Sequence, residues 1–174
     1  TLRNNNSSRF GKFIHIYFDL TSGAITGASI SNYLLEKTRI THQVDGERNY
    51  HIFYQLLAGA DDSMLQRFGL LSTAFRYLGA SGSDKSKADA KCFKETVGCL
   101  KSIGLTAEEQ EAVFGMAAAV LHLGNVQFEQ DDNDIAKVSE ACRPSLQKAC
   151  ELLGLDESNL SEAVLTKVIT VNGK

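Results

Sequence analysis

Proline occurs once in the 174 residues and cysteine four times, and no apolar run approaches the roughly 18 to 20 residues that a membrane-spanning helix requires. A basic start followed by an apolar signal segment is also missing, so a cytoplasmic location is the expectation. With one proline against 14 glycines there is no collagen-like or disordered bias. Cys92, Cys99, Cys142 and Cys150 stand seven, 43 and eight residues apart, which matches neither a CxxC redox pair nor a zinc ligand set. Reduced, mostly packed thiols are expected. Lysine and arginine are scattered and the net charge is −3, so the basic stripe of a nucleic-acid binder is lacking.

What is present suits a folded chain. Apolar residues make up 43% and charged residues 22%, and at this length roughly 70% of the unfolded surface can be buried. The start at Thr1 and the stop after Asn172-Gly173 give the boundaries of an excerpt rather than of a whole protein. Lys12 to Leu20, KFIHIYFDL, reads as a buried strand, Thr21-Ser22-Gly23 as a turn, and Ala24 to Ser31 as a second strand pairing antiparallel with the first. Helical spacing then takes over. Tyr50, Phe53, Tyr54 and Leu57 predict a helix over Gly46 to Leu57, with Glu47 and Arg48 at its start.

Phe93, Val97 and Leu100 mark a helix ending near Gly104, and Thr106 with Glu109 forms a capping box for the next. That helix carries Val113, Phe114, Ala117, Val120 and Leu121 on one stripe, and Gly124 stops it before a short strand around Val126 to Phe128. Pro144 opens another, with Leu146, Ala149, Cys150 and Leu153 inward and Gly154 closing it. Asp156 starts a last helix through Leu160 and Val164, after which Val168 to Val171 is extended. The segments from Gly82 to Asp89 and from Glu129 to Asp134 read as solvated loops. The Asp131-Asp132-Asn133-Asp134 run lacks the glycine and later glutamate of a calcium loop. His15, His42, His51 and His122 share no metal-ligand spacing, and His51 and His122 read as core or boundary residues of apolar helices.

The chemistry concentrates ahead of the first strand. Asn4 to Arg9 combines amides, paired hydroxyls and a guanidinium: hydrogen-bond donors, hard oxygen ligands and positive charge, as a metal-bound polyphosphate requires. Asn4 to Lys12, NNNSSRFGK, is similar throughout to the switch I pattern N-x-N-S-S-R-F-G-K of myosin motors. Tyr33 to Lys37 resembles that family's YLLEK segment, Glu47 to Gln55 reads ERNYHIFYQ, and Leu121 to Val126 reads LHLGNV, all in the family's order.

The resemblance implies an α/β fold, mostly helical with a few strands, as part of the P-loop NTPase-type motor domain, with residues 1–174 a portion of it. It implies ATP and Mg²⁺ as ligands, with Asn4 contacting phosphates, Ser8 giving its hydroxyl to Mg²⁺, Ser7 approaching the γ-phosphate and attacking water, and Arg9 pairing with a switch II glutamate not on this chain. Asn6 holds the loop's shape, Gly11 allows a tight passage into the strand, and Phe10 is read as an anchor. Actin filaments and the rest of the motor domain are the implied partners, with the loop after LHLGNV and the Leu165 to Lys174 segment near actin. The 174 residues contain neither G-x-x-x-x-G-K-[ST] nor a D-x-x-G-F-E switch II, so by themselves they should not hydrolyse ATP. Two alternatives stand beside this. A kinesin shares N-x-x-S-S-R but continues Ser-His where this chain has Phe10-Gly11, and a non-catalytic actin-binding or scaffolding remnant of a myosin head is compatible with the missing motifs.

Overall fold

A computed structural model describes residues 9–71, 74–83, 86–131 and 133–167, the side chains of 80–83 excepted. The loop residues Asn4, Asn6, Ser7 and Ser8 and the expected extended segment Val168 to Val171 therefore lie outside the described residues. The chain divides into two compact units, Thr1–Glu47 and Arg48–Lys174.

The first unit is built on an antiparallel hairpin of β1 (Gly11–Phe18) and β2 (Ile25–Tyr33), in a register that places Gly11 opposite Tyr33 and Ile14 opposite Ile30. Its turn is set by Asp19, whose Oδ1 accepts the backbone N–H groups of Thr21 and Ser22, while Gly23 takes a φ of 66°. Side-chain capping of this kind is why Asp, Ser and Gly cluster there. A 3-10 turn, Lys37–Ile40, follows the second strand. The expectation of a buried first strand is corrected. Phe13, Ile14, Ile16, Tyr17 and Phe18 are all about half exposed, because two strands alone cover neither of their faces.

The second unit is helical: α1 (His51–Gly59), α2 (Asp62–Arg67), α3 (Lys87–Ser102), α4 (Ala107–Gly124), α5 (Arg143–Leu153) and α6 (Glu157–Leu165). Phe53, Tyr54, Leu56 and Leu57 of α1 pack with Leu65, Phe68, Phe93, Phe114 and Leu121 in the main core. Gly59 lets α1 approach α3, since a Cβ there would overlap Phe93. The capping box at Thr106 and Glu109 is present, Pro144 lies in the first turn of α5, Gly154 ends it in the left-handed region, and Asp156 caps α6. All four cysteines are free thiols: Cys142 and Cys150 are buried, Cys92 is half-buried and Cys99 is exposed.

Several expectations shift. The first helix begins at His51, not Gly46, because the buried Asn49 takes the backbone N–H of Tyr50 on its Oδ1 and so ends the extended approach one turn later. His51 itself is exposed. On α4 the buried face is Phe114, Gly115, Ala118, Ala119, Leu121 and His122, whereas Val113 is exposed; the helix packs against α1 and also α5, and small residues serve the closer contacts. Asp89 is no loop residue but sits buried in the first turn of α3, paired with Arg48 at 2.7 Å. Much of the expected acidic loop is a hairpin, β3 (Phe128–Gln130) with β4 (Ala136–Val138), closed by Asp131 accepting the N–H groups of Asn133 and Ile135. The short strand expected around Val126 to Phe128 starts at Phe128, and Val126, ahead of it, packs with Cys142, Leu146 and Cys150 in a smaller core.

His122 is buried in the last turn of α4, its Nε2 at 2.8 Å from the Phe68 carbonyl and its Nδ1 without a partner. A cation at a helix C-terminus gains about 0.3–1 kcal/mol from the dipole. Leaving a buried charged N–H unsatisfied costs more than that. Burial accordingly holds the imidazole below its ordinary value of 6.5, against the bond to Phe68, which acts the other way. The stability carried by the neutral ring is complete above pH 6.5 and is lost as pH falls towards the depressed folded-state value. Urea midpoints at pH 7.5 and 5.5 should therefore drop more for the native chain than for His122→Gln, which keeps a donor for Phe68 but does not titrate.

Candidate functional site

The described part of the site begins at Arg9, where the loop enters β1. Glu36, just beyond β2, donates its backbone N–H to the Arg9 carbonyl at 3.0 Å, one residue out of register with the ladder that ends at Gly11 and Tyr33. Gly11 leaves room for the Tyr33 ring at that crossing. A Cβ there would come within 2.5 Å of the Tyr33 ring, so the expectation that this glycine allows a tight passage acquires a specific obstacle. Arg9, Phe10, Gly11, Tyr33, Leu34 and Glu36 border an open hollow of about 480 Å³. Phe10, expected as an anchor, is 44% exposed, with the Lys12 ammonium 5.3 Å from its ring centre.

Four charged side chains meet beside this crossing. Arg9 Nη1 donates to Glu36 Oε2 at 3.0 Å, and its Nη2 lies 3.5 Å from Glu47 Oε2. Arg39, from the 3-10 turn, donates through Nε to Glu36 Oε2 at 2.8 Å and through Nη2 to Glu47 Oε2 at 2.7 Å. Arg39 is buried and Glu47 nearly so, while Glu36 is the outer member. The Arg39 guanidinium, first through its hydrogen bonds, holds both carboxyls below their ordinary value of 4.5, against the burial that would raise them.

The sequence pattern names Arg9 and not the three charged residues around it. Glu36 and Glu47 stood in recognised segments, but neither carried a chemical assignment, and Glu47 was placed at a helix start. It lies four residues before α1 and serves as an ion-pair partner instead. Arg48 was likewise assigned to that start; its guanidinium stacks on the Tyr54 ring at 3.8 Å and pairs with Asp89. A cation between two acids three and eight residues away, Arg39 between Glu36 and Glu47, was the available signal.

Comparison with known proteins supplies the family. A family model described as myosin head (motor domain) matches residues 1–174. Unconventional myosin IC of Drosophila melanogaster is 46% identical over 178 residues, covering 99% of this chain and 17% of that protein. Unconventional myosin-XV of Homo sapiens is 41% identical over 172 residues, covering 97% of the chain and 5% of the relative. Myosin-2 of Saccharomyces cerevisiae is 42% identical over 172 residues, covering 97% and 11%. The chain thus spans no more than 17% of the length of these three relatives.

The charge cluster makes its own prediction. In a carbon-detected titration of the side-chain carboxyls, Glu36 and Glu47 should both titrate below 4.5, and Arg39→Met should move both upward. Unchanged titration in that variant would mean that Arg39 does not hold them.

Proposed function

As the chain belongs to the myosin head family, we propose that residues 1–174 are a portion of an actin-based motor ATPase and contribute its switch I. The observation that carries this reading is the placement of Arg9: the arginine of NNNSSRFGK sits at the mouth of a hairpin with its guanidinium oriented by two carboxylates. A loop anchored at its exit can swing at its tip while its last residue keeps a defined place. The donor set suits the ligands. Amide and hydroxyl oxygens from Asn4, Asn6, Ser7 and Ser8 are hard, and hard oxygens are what Mg²⁺ takes.

Ser8 would hold Mg²⁺, which supplies charge neutralisation on the phosphate oxygens. Asn4 would hydrogen-bond phosphate, Asn6 would hold the loop's shape, and Ser7 would serve the γ-phosphate and the attacking water. Arg9 closes the pocket by pairing with a carboxylate from elsewhere in the motor, which makes hydrolysis depend on both loops being in place. The half-exposed apolar residues on both faces of the β1–β2 hairpin support the rest of the motor domain as a partner, because an isolated two-stranded sheet leaves such faces in water. Actin filaments are the further partner, and the cytoskeleton of the cytoplasm the setting. Among the described residues no helix is long and apolar enough to cross a membrane.

In the intact parent motor, Arg9→Ala should slow hydrolysis by on the order of a hundredfold in single-turnover assays while leaving ATP binding largely intact, because closure follows binding. Unchanged hydrolysis would refute the role of Arg9. Ser8→Ala should weaken the Mg²⁺ dependence of nucleotide retention, and a variant that releases nucleotide at the native rate across a magnesium titration would remove Ser8 as the ligand.

A further inference from the structure

The two arginines share their acceptors. Glu36 Oε2 serves Arg9 Nη1 and Arg39 Nε, and Glu47 Oε2 serves Arg9 Nη2 and Arg39 Nη2, so among the described residues these four side chains form a ring of alternating charge. We infer that Arg39 is a positioning residue for Arg9, acting through Glu36 and Glu47 to fix the plane of the Arg9 guanidinium. The inference rests on the switch I reading above and extends it to three residues outside the loop.

The geometry supports this in three steps. One carboxylate would let the guanidinium turn about a single contact, whereas two oxygens set against its two terminal nitrogens define its plane. Those oxygens need fixing in turn, since a glutamate side chain has three rotatable bonds. Arg39 fixes Glu36 as a fork, with Nε on Oε2 at 2.8 Å and Nη2 on Oε1 at 3.3 Å, and fixes Glu47 at 2.7 Å. Finally Arg39 is itself held. It is 7% exposed, lies in the 3-10 turn three residues after Glu36, and its carbonyl accepts from the Gln43 side chain.

Charge gives a second reason. Without Arg39, one guanidinium would face two carboxylates, and their mutual repulsion would favour either separation or protonation. Both outcomes change where Arg9 points. A lysine at position 39 preserves the charge but not the fork, since one ammonium cannot reproduce a planar set of donors.

The test is a double-mutant cycle in the intact motor, read as the single-turnover hydrolysis rate and followed long enough to resolve slow variants. Arg39→Lys should slow hydrolysis roughly tenfold with the ATP-binding rate unchanged, in keeping with the cost of misplacing a group by a fraction of an ångström. In an Arg9→Ala background the same change should have no further effect. An equal loss in both backgrounds, or no loss in the native one, overturns the inference while leaving Arg9 in its proposed role. If Arg9→Ala alone leaves hydrolysis unchanged, the switch I reading falls and this inference with it. Should Arg39→Lys fail to fold, Glu47→Gln takes its place in the same cycle, with the same outcomes deciding.

Discussion

Two carboxylate oxygens, each shared by two guanidinium groups, tie together three places in the first unit: the exit of the asparagine-rich loop, the end of the hairpin and the last residue before the helical unit. The arrangement depends on balance. Among the described residues two cations face two anions, and removal of any one of them upsets that pairing in a partly buried place. Such clusters add little net stability, because desolvating the ions offsets much of their attraction. What a satisfied polar network does supply is direction, since its hydrogen bonds are met in one geometry and broken in most others.

The backbone reinforces the same point. Glu36 donates to the Arg9 carbonyl, so a backbone hydrogen bond and an ion pair join the same two residues. Gly11 then permits the Tyr33 ring to lie across the entry to β1. Main chain, ring packing and charge thus all act on the place of Arg9 at the entry to β1.

The helical unit shows a different economy. Its main core is aromatic and aliphatic, drawn from α1 to α4, and its buried polar residues each answer a specific need. Asn49 is 1% exposed; its Nδ2 donates to the Tyr77 carbonyl and its backbone N–H donates to the Tyr54 hydroxyl, joining the approach to α1 to a distant turn. Asp89 is held by Arg48, which also lies over Tyr54. Tyr54 is therefore both a core ring and the acceptor around which the start of α1 is organised.

Local signals in the sequence were enough for the hairpin, the capping box at Thr106, the stop at Gly154 and the cap at Asp156, because each depends on residues within a few positions of one another. Periodicity located the helices but not their buried faces: α4 has neighbours on two sides, so its stripe could not be read from spacing alone. Asp89 looked like a loop residue because its partner, Arg48, lies 41 positions away. The same holds at the site. Arg9 could be named from its neighbours in the chain, while Glu36, at a separation of 27, became its partner only when the hairpin brought the two ends together. Ion pairs over such separations have no periodicity to betray them, and tertiary structure alone decides which acid meets which base.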